Sequence, residues 1–259
     1  MTIAKKIENE MKYFEFFKGF FKRNIRRRYI KNPLRMPVTV LGPFLVMAAA
    51  APLMSVLFPE STDNFPMYVL CGEITFIFLF NSARRSIKAV VRNRAYIRAI
   101  YIPKHLFVVS AVAENAVPFV VSLVPLLFTM LFTGAKFTFN LLILPLLFAL
   151  MFMFSLGFSL ILAAYGTLIK GIYRLYLIFS AVWLLATPIF YPLSAIPEKI
   201  QFFFDANPAV HYIDMMRTIC VGGVPSERTL VIATVYSLLV LMLGISLFKS
   251  KENRFFLYI

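Results

Sequence analysis

The stretch YRLYLIFSAVWLLATPIFYPLSAIPEKIQFFFDANPAVHYIDMMR, residues 173–217, decides how the chain is read. An apolar run that begins at Tyr173 reaches Pro188-Ile189-Phe190-Tyr191-Pro192, then Ile196-Pro197, then Asn207-Pro208, with Arg217 beyond. Pro188 and Pro192 each remove a backbone donor and block the next helical turn, so the helix breaks near Pro188 while still at membrane depth. Backbone freed at that depth must be covered by protein or line a wet cavity. The same prolines also fit a plain span end at the membrane surface, and the pattern alone leaves both readings open.

Outward from this stretch, composition excludes a soluble globular domain. The 259 residues are 60% hydrophobic and 15% charged, whereas soluble domains are about half apolar and about a quarter charged. Six apolar stretches approach or exceed the ~20 residues that cross a ~30 Å hydrocarbon core: about Val38–Phe58, Phe65–Asn81, Leu106–Phe132, Phe139–Tyr165, Ile172–Tyr191 and Thr229–Phe248. The second is the shortest and is expected to continue as a helix into the basic loop after it. The first follows a strongly basic segment, so it reads as a retained anchor, not a cleaved signal.

Charge gives an orientation. Of 27 Lys and Arg, 11 precede Val38, 7 lie in 82–104, 2 in 166–174 and 3 in the tail from Lys249. Lys136, Lys199, Arg217 and Arg228 are left for the other side. By the positive-inside rule both termini are cytoplasmic. Basic residues clustered between apolar spans reflect this topology and not nucleic-acid binding.

Within residues 1–37, Tyr13, Phe16, Phe17, Phe20 and Phe21 recur at helical spacing opposite Lys12, Glu15, Lys18, Lys22 and Arg26. That pattern makes an amphipathic helix lying on the membrane surface or packed on a partner. The loop 82–104 has no acidic residue, and Tyr96, Ile97, Ile100 and Tyr101 interleave its charges. Helix-in-groove docking needs such apolar anchors, which a merely solvated loop does not.

Glu73 and Glu114 fall inside spans two and three, where an unpaired charge costs several kcal/mol and a functional role is the default. Glu114 is placed to pair with a basic group of the bundle; Glu73 suits either a conduit or an outer mouth. Asp205, Asp214 and Arg217 share one loop region and could form a local ion pair, with His211 read as a surface residue. Cys71 and Cys220 are far apart in sequence and expected depth, so neither a disulfide nor a metal site is indicated. No Gly-x-x-x-x-Gly-Lys-Ser/Thr run occurs, so ATP hydrolysis, if used, resides in another polypeptide.

The order Pro188 to Pro192, Asn207-Pro208, Arg217 and Gly222-Gly223, with the Tyr96–Lys104 segment, resembles the membrane subunit of type-2 ABC transporters that export O-antigen, teichoic acid or capsular glycans. The resemblance spans nearly the whole chain in length, span spacing and loop charge. It implies an all-α integral membrane protein with six transmembrane helices, an N-terminal amphipathic interface helix and a re-entrant hairpin between helices five and six. Residues 38–259 would form the permease domain, with a coupling loop at 82–104 and an external gate region at 192–228.

The resemblance further implies that Asn93, Tyr96, Ile97 and Arg98 couple to an ATPase. It makes Pro188, Pro192, Pro197, Asn207, Pro208 and Arg217 the helix break and gate. Aromatic conduit residues by position are Phe44, Trp183, Phe190 and Tyr191; Glu73, which departs from the mostly apolar pattern of the family there, and Glu114 are added as polar members from their place inside the spans. The expected assembly is two copies with two ATP-binding cassette subunits, which bind ATP and Mg, and a lipid-linked polysaccharide as substrate in the cytoplasmic membrane. No cofactor or metal is expected in this chain. A type-2 permease for a lipid or drug is the nearest alternative. A membrane-embedded glycosyl or acyl transferase needs convergent acid, base or metal-binding groups, and His105 and His211 both lie outside the span cores.

Overall fold

The computed structural model describes residues 3–58, 64–99, 101–135 and 137–257. The described helices are α1 (Ile3–Ile25), α2 (Arg35–Leu57), α3 (Phe65–Ser86), α4 (Ala89–Arg92), α5 (Arg94–Ala99), α6 (His105–Phe132), α7 (Leu144–Leu168), α8 (Ile172–Leu185), α9 (Glu198–Asp205), α10 (Pro208–Cys220) and α11 (Glu227–Glu252). A π-helical turn, Arg26–Ile30, joins α1 to α2, and no strand occurs among the described residues. Ile100 and Lys136, which the sequence reading used, lie outside the described residues.

Among the described residues, five segments are long and apolar enough to cross a bilayer: Arg35–Leu57, Phe65–Ser86, His105–Phe132, Phe139–Leu168 and Glu227–Phe255. The expected fifth span is different. Its helix, α8, has 14 residues and ends at Leu185. Proline disfavours the helical region for the residue before it, and with Pro188 and Pro192 four residues apart the helix is not resumed after Leu185.

α3 is the central helix. Val69 to Phe76 are all buried, as are Phe78, Leu79, Ser82 and Ala83, and α2, α6, α7, α8 and α10 all pack on it. A helix enclosed on every side needs small residues where neighbours come close, and Gly72, Ser82 and Ser86 supply them. α10 is the second enclosed helix, with Ala209 to Ile213, Met215, Met216, Ile219 and Cys220 buried against α3, α7 and α11. Cys71 and Cys220 are neighbouring, buried and not joined by a disulfide. Expecting different depths for them was wrong, because α10 enters the bundle where the sequence suggested a surface loop.

α7 and α11 cross in backbone contact at Gly157 and Gly244. α2 is held loosely: of its residues only Pro43, Met47 and Ala51 are buried, and an apolar row including Val38, Leu41, Leu45, Leu53 and Val56 stays exposed.

Phe20 of α1, Ala89 and Val90 of α4, Ile102, Phe107 of α6, and Phe248 and Phe255 form one apolar cluster. α1, the basic loop and residues 248–255 thus gather at the end of α3 that carries Ser86. The proline break sits at the opposite end, beside the first turn of α3.

Candidate functional site

The broken segment after α8 is held by side-chain caps. Freed carbonyls at bilayer depth must find donors, and two side chains supply most of them. Arg217, from α10, donates through Nη2 to the carbonyls of Pro188 (2.7 Å) and Ile189 (3.2 Å) and through Nε to that of Tyr68 (3.2 Å). Its guanidinium carbon lies 3.3 Å from the centre of the Tyr68 ring, a stacked cation–π contact. The Tyr68 hydroxyl donates in turn to the carbonyl of Tyr191 at 3.0 Å. Gly72, one turn along α3, makes room: a Cβ there would lie 3.1 Å from Arg217 Nη2 and 3.2 Å from Ile189 Cγ2.

Asn207 closes the other side. Its Nδ2 donates to the Ala186 carbonyl (3.1 Å) and Thr187 Oγ1 (2.9 Å). Its Oδ1 accepts from Trp183 Nε1 (2.9 Å) and from the Ala209 backbone amide (3.1 Å). Asn is a favoured N-cap and Pro a favoured first helical residue, so Asn207-Pro208 starts α10 while the same amide ties down the end of α8. Pro188, Ile189 and Pro192 are buried, and Pro197 is an exposed residue that opens α9.

Arg217 is therefore not in an ion pair with Asp205 or Asp214, as the loop spacing suggested. Carbonyls hold it instead, while Asp205 lies 3.8 Å from Arg228 at the surface and Asp214 accepts from Thr229 at 3.3 Å. The exposed Asp205–Arg228 pair adds about 0–1 kcal/mol. His211 is buried, with Nε2 2.8 Å from the Asp205 carbonyl and its ring stacked on Tyr236. It was read as a surface residue because α10's burial is invisible in a short amphipathic run.

The proposed conduit residues do not share one cavity within the chain. Trp183 lines a groove of about 330 Å³ beside the break with Phe158, Phe179 and Phe203. Phe44 lines a separate cavity of about 790 Å³ with Phe65 and Phe132. Glu73 faces a third, of about 280 Å³, between α2, α3 and α6. Phe190 packs on the core, and the Tyr191 hydroxyl donates to the Leu185 carbonyl.

Glu114 belongs to the basic end. Its Oε1 accepts from Asn24 Nδ2 at 2.8 Å and Ser110 Oγ at 3.2 Å, and its Oε2 lies 3.6 Å from Arg85 Nη1. Arg28 Nη1 reaches the Glu114 carbonyl and Asn115 Oδ1, each at 3.4 Å. Burial lowers the Arg28 guanidinium to about 10, so it stays cationic at neutral pH. One carboxylate thus ties the α1 end to α3 and α6. Replacing Glu114 by Gln keeps the acceptor for Asn24 but strips Arg85 of its counter-charge. It is expected to cost about 2 kcal/mol, read as a lower unfolding midpoint together with faster proteolysis of α1.

The loop residues divide into two faces. Tyr96 and Ile97, expected as partner anchors, pack inward on the Phe16, Phe20 and Phe107 cluster, and the Tyr96 hydroxyl accepts from Arg23. Asn93 is buried, its amide bonded to the Ala89 carbonyl at 2.7 Å. Their apolar character serves the chain's own interface helix. The exposed face is Arg94, Ala95, Arg98, Ala99 and Tyr101. At its end, Lys104 Nζ donates to the Glu252 carbonyl at 3.0 Å, fixing the loop to the end of α11. Tyr68, Gly72, Asn24 and Arg28 escaped sequence reasoning, although Gly72 beside Glu73 within a span was a visible signal of close packing.

An all-helical bundle whose long apolar helices can cross a bilayer, with a capped break between the last two of them, is that of a multi-pass membrane protein. The chain belongs to the ABC-2 type transporter family, whose model matches residues 17–221. It is similar to the O-antigen export system permease protein RfbA of Myxococcus xanthus, 25% identical over 236 residues covering 90% of this chain and 91% of that one. It is also similar to the polysialic acid transport protein KpsM of Escherichia coli, 25% identical over 242 residues (91% and 93%), and to the RfbA permease of Klebsiella pneumoniae, 19% identical over 235 residues (90% of each). In this family nucleotide hydrolysis belongs to a separate partner subunit.

Proposed function

We propose that this chain is the membrane subunit of an ATP-driven exporter of lipid-linked polysaccharide, of the O-antigen, capsule or teichoic acid kind. Two copies form the pathway, and two ATP-binding cassette subunits, which carry the ATP and Mg, dock at the basic end. Both termini then lie in the cytoplasm, in line with the positive-inside rule. The break and α9 form a re-entrant element of the external gate region.

The observation that carries this reading is the capped break: Arg217 and Asn207 hold a non-helical segment at bilayer depth beside a groove lined by Phe158, Phe179, Trp183 and Phe203. Sugar faces stack on such rings without a fixed register, which suits a sliding polymer. The whole-length similarity to permeases named for O-antigen and polysialic acid supports the substrate class. Movement of the docked ATPases reaches the bundle through the α1–Glu114–Arg85 contacts.

The test is co-purification with a candidate ATPase subunit, followed by export of a labelled lipid-linked glycan from vesicles. Arg94→Glu with Ala95→Glu, on the exposed loop face, is expected to disperse the complex while the unfolding midpoint of the chain holds. Tyr96→Asp is expected to lower that midpoint, because it breaks the inward cluster. ATP-dependent movement of a lipid or drug with none of a glycan would assign the chain to the lipid or drug permeases. Purification without any ATPase would overturn the coupling.

A further inference from the structure

We propose that the cavity between α2, α3 and α6 is a binding site for a monovalent organic cation, with an alkylammonium group seated on the Glu73 carboxylate. The site is distinct from the glycan reading and stands or falls apart from it. Glu73 is 9% exposed, lines this cavity of about 280 Å³, and its Oε2 is buried with no hydrogen-bond partner among the described residues. The contrast with Glu114, whose carboxylate has Asn24, Ser110 and Arg85, is sharp.

No neighbouring element offers Glu73 a counter-charge. The cavity walls contributed by α2 and α6 carry no charged residue. On the far side of α3, Arg217 is committed to the carbonyls of Tyr68, Pro188 and Ile189. Arg28 lines the cavity but at its other end, where Nη1 is bonded to the Glu114 carbonyl and Asn115 Oδ1. Helix α6 runs from Asn115 at that end to Ser122 at the deep end, a rise of about 10 Å. Phe78 packs on Phe119 between these levels.

A carboxyl at the deep end of an apolar, ring-lined cavity is held as a carboxylate only by a cation seated on it, and that cation must bring its own apolar body. The cavity is at the small end of the roughly 300–1,000 Å³ range of ligand pockets, which selects a short chain. The wall formed by α2 is the loosely held one, so a ligand there would join α2 to α3 and α6.

The experiment is calorimetric titration of the full-length chain in detergent with n-hexylammonium chloride, against 1-hexanol as the uncharged control. Saturable binding of hexylammonium alone is expected. Glu73→Gln should weaken it about tenfold or more, the loss of one charge-assisted contact. Gly42→Leu keeps the carboxylate and fills the cavity: a Cβ at Gly42 meets nothing within 4 Å, so the chain should fold normally and lose binding equally. Equal binding to wild type and Glu73→Gln, equal binding of hexanol, or no binding of either compound would overturn the proposal. Repeating the titration in phosphatidylcholine and phosphatidylethanolamine vesicles separates the natural sources. Weaker binding of the probe in the second identifies a lipid amine headgroup as occupant, and equal binding a free amine.

Discussion

Replacing Arg217 by Met is expected to lower the stability of the chain by about 4 kcal/mol and to abolish transport in reconstituted vesicles. The side chain donates to three carbonyls, those of Tyr68, Pro188 and Ile189, within 3.2 Å. Each buried acceptor left without a donor costs about 1–3 kcal/mol, and water relieves only part of this in an apolar bundle. Arg217→Lys separates charge from shape, since one ammonium keeps the positive charge but cannot fork to Tyr68 on α3 and to the break together. The lysine variant should fold, with an unfolding midpoint between wild type and Met and little transport. Wild-type behaviour of the Met variant would show that packing around Ile189 alone holds the break.

The break was legible because two prolines four residues apart, Pro188 and Pro192, each remove a donor locally, whereas the spaced prolines Pro43, Pro52, Pro118 and Pro125 are accommodated inside α2 and α6. The residues that make the break tolerable were not legible, because they come from elsewhere. Tyr68 and Arg217 are 149 residues apart, and nothing near Tyr68 in sequence announces a guanidinium over its ring. Likewise the long spans follow from hydropathy, whereas the burial of α10 depends on what encloses it. That is why His211 and Cys220 were read as loop residues. Tyr96 and Ile97 show a different limit: an apolar residue in a basic loop looks the same whether it waits for a partner or already covers α1.

The second large effect is expected at the α7–α11 crossing. Gly244→Val should prevent accumulation of folded chain or lower stability by about 4 kcal/mol. An added Cβ would lie 2.3 Å from the Gly157 carbonyl oxygen, and its counterpart at Gly157 2.4 Å from that of Val240. Both obstacles are backbone, so no rotamer change relieves the clash and the helices must separate along their length. Overpacking that side chains absorb costs about 1–3 kcal/mol; moving two spans apart costs more and forfeits the close contact that joins helices in lipid. Gly42→Ala, on a helix with open space around it, is the control and should match wild type in unfolding midpoint and yield. A Gly244→Val variant as stable as that control would mean that α7 and α11 do not meet in backbone contact.

The shortness of α8 has a bearing on the lipid around the protein. Fourteen residues give about 21 Å of helix, and its side chains outside the groove, Leu175, Ile178 and Leu185, are all exposed. On that flank the protein presents a hydrophobic belt about 9 Å shorter than an ordinary hydrocarbon core. Acyl chains there must compress, at a cost of fractions of a kcal/mol per Å, unless another protein surface covers the flank. Where lipid covers that flank, thinner bilayers fit the chain better, and activity should rise as the vesicle lipids are shortened.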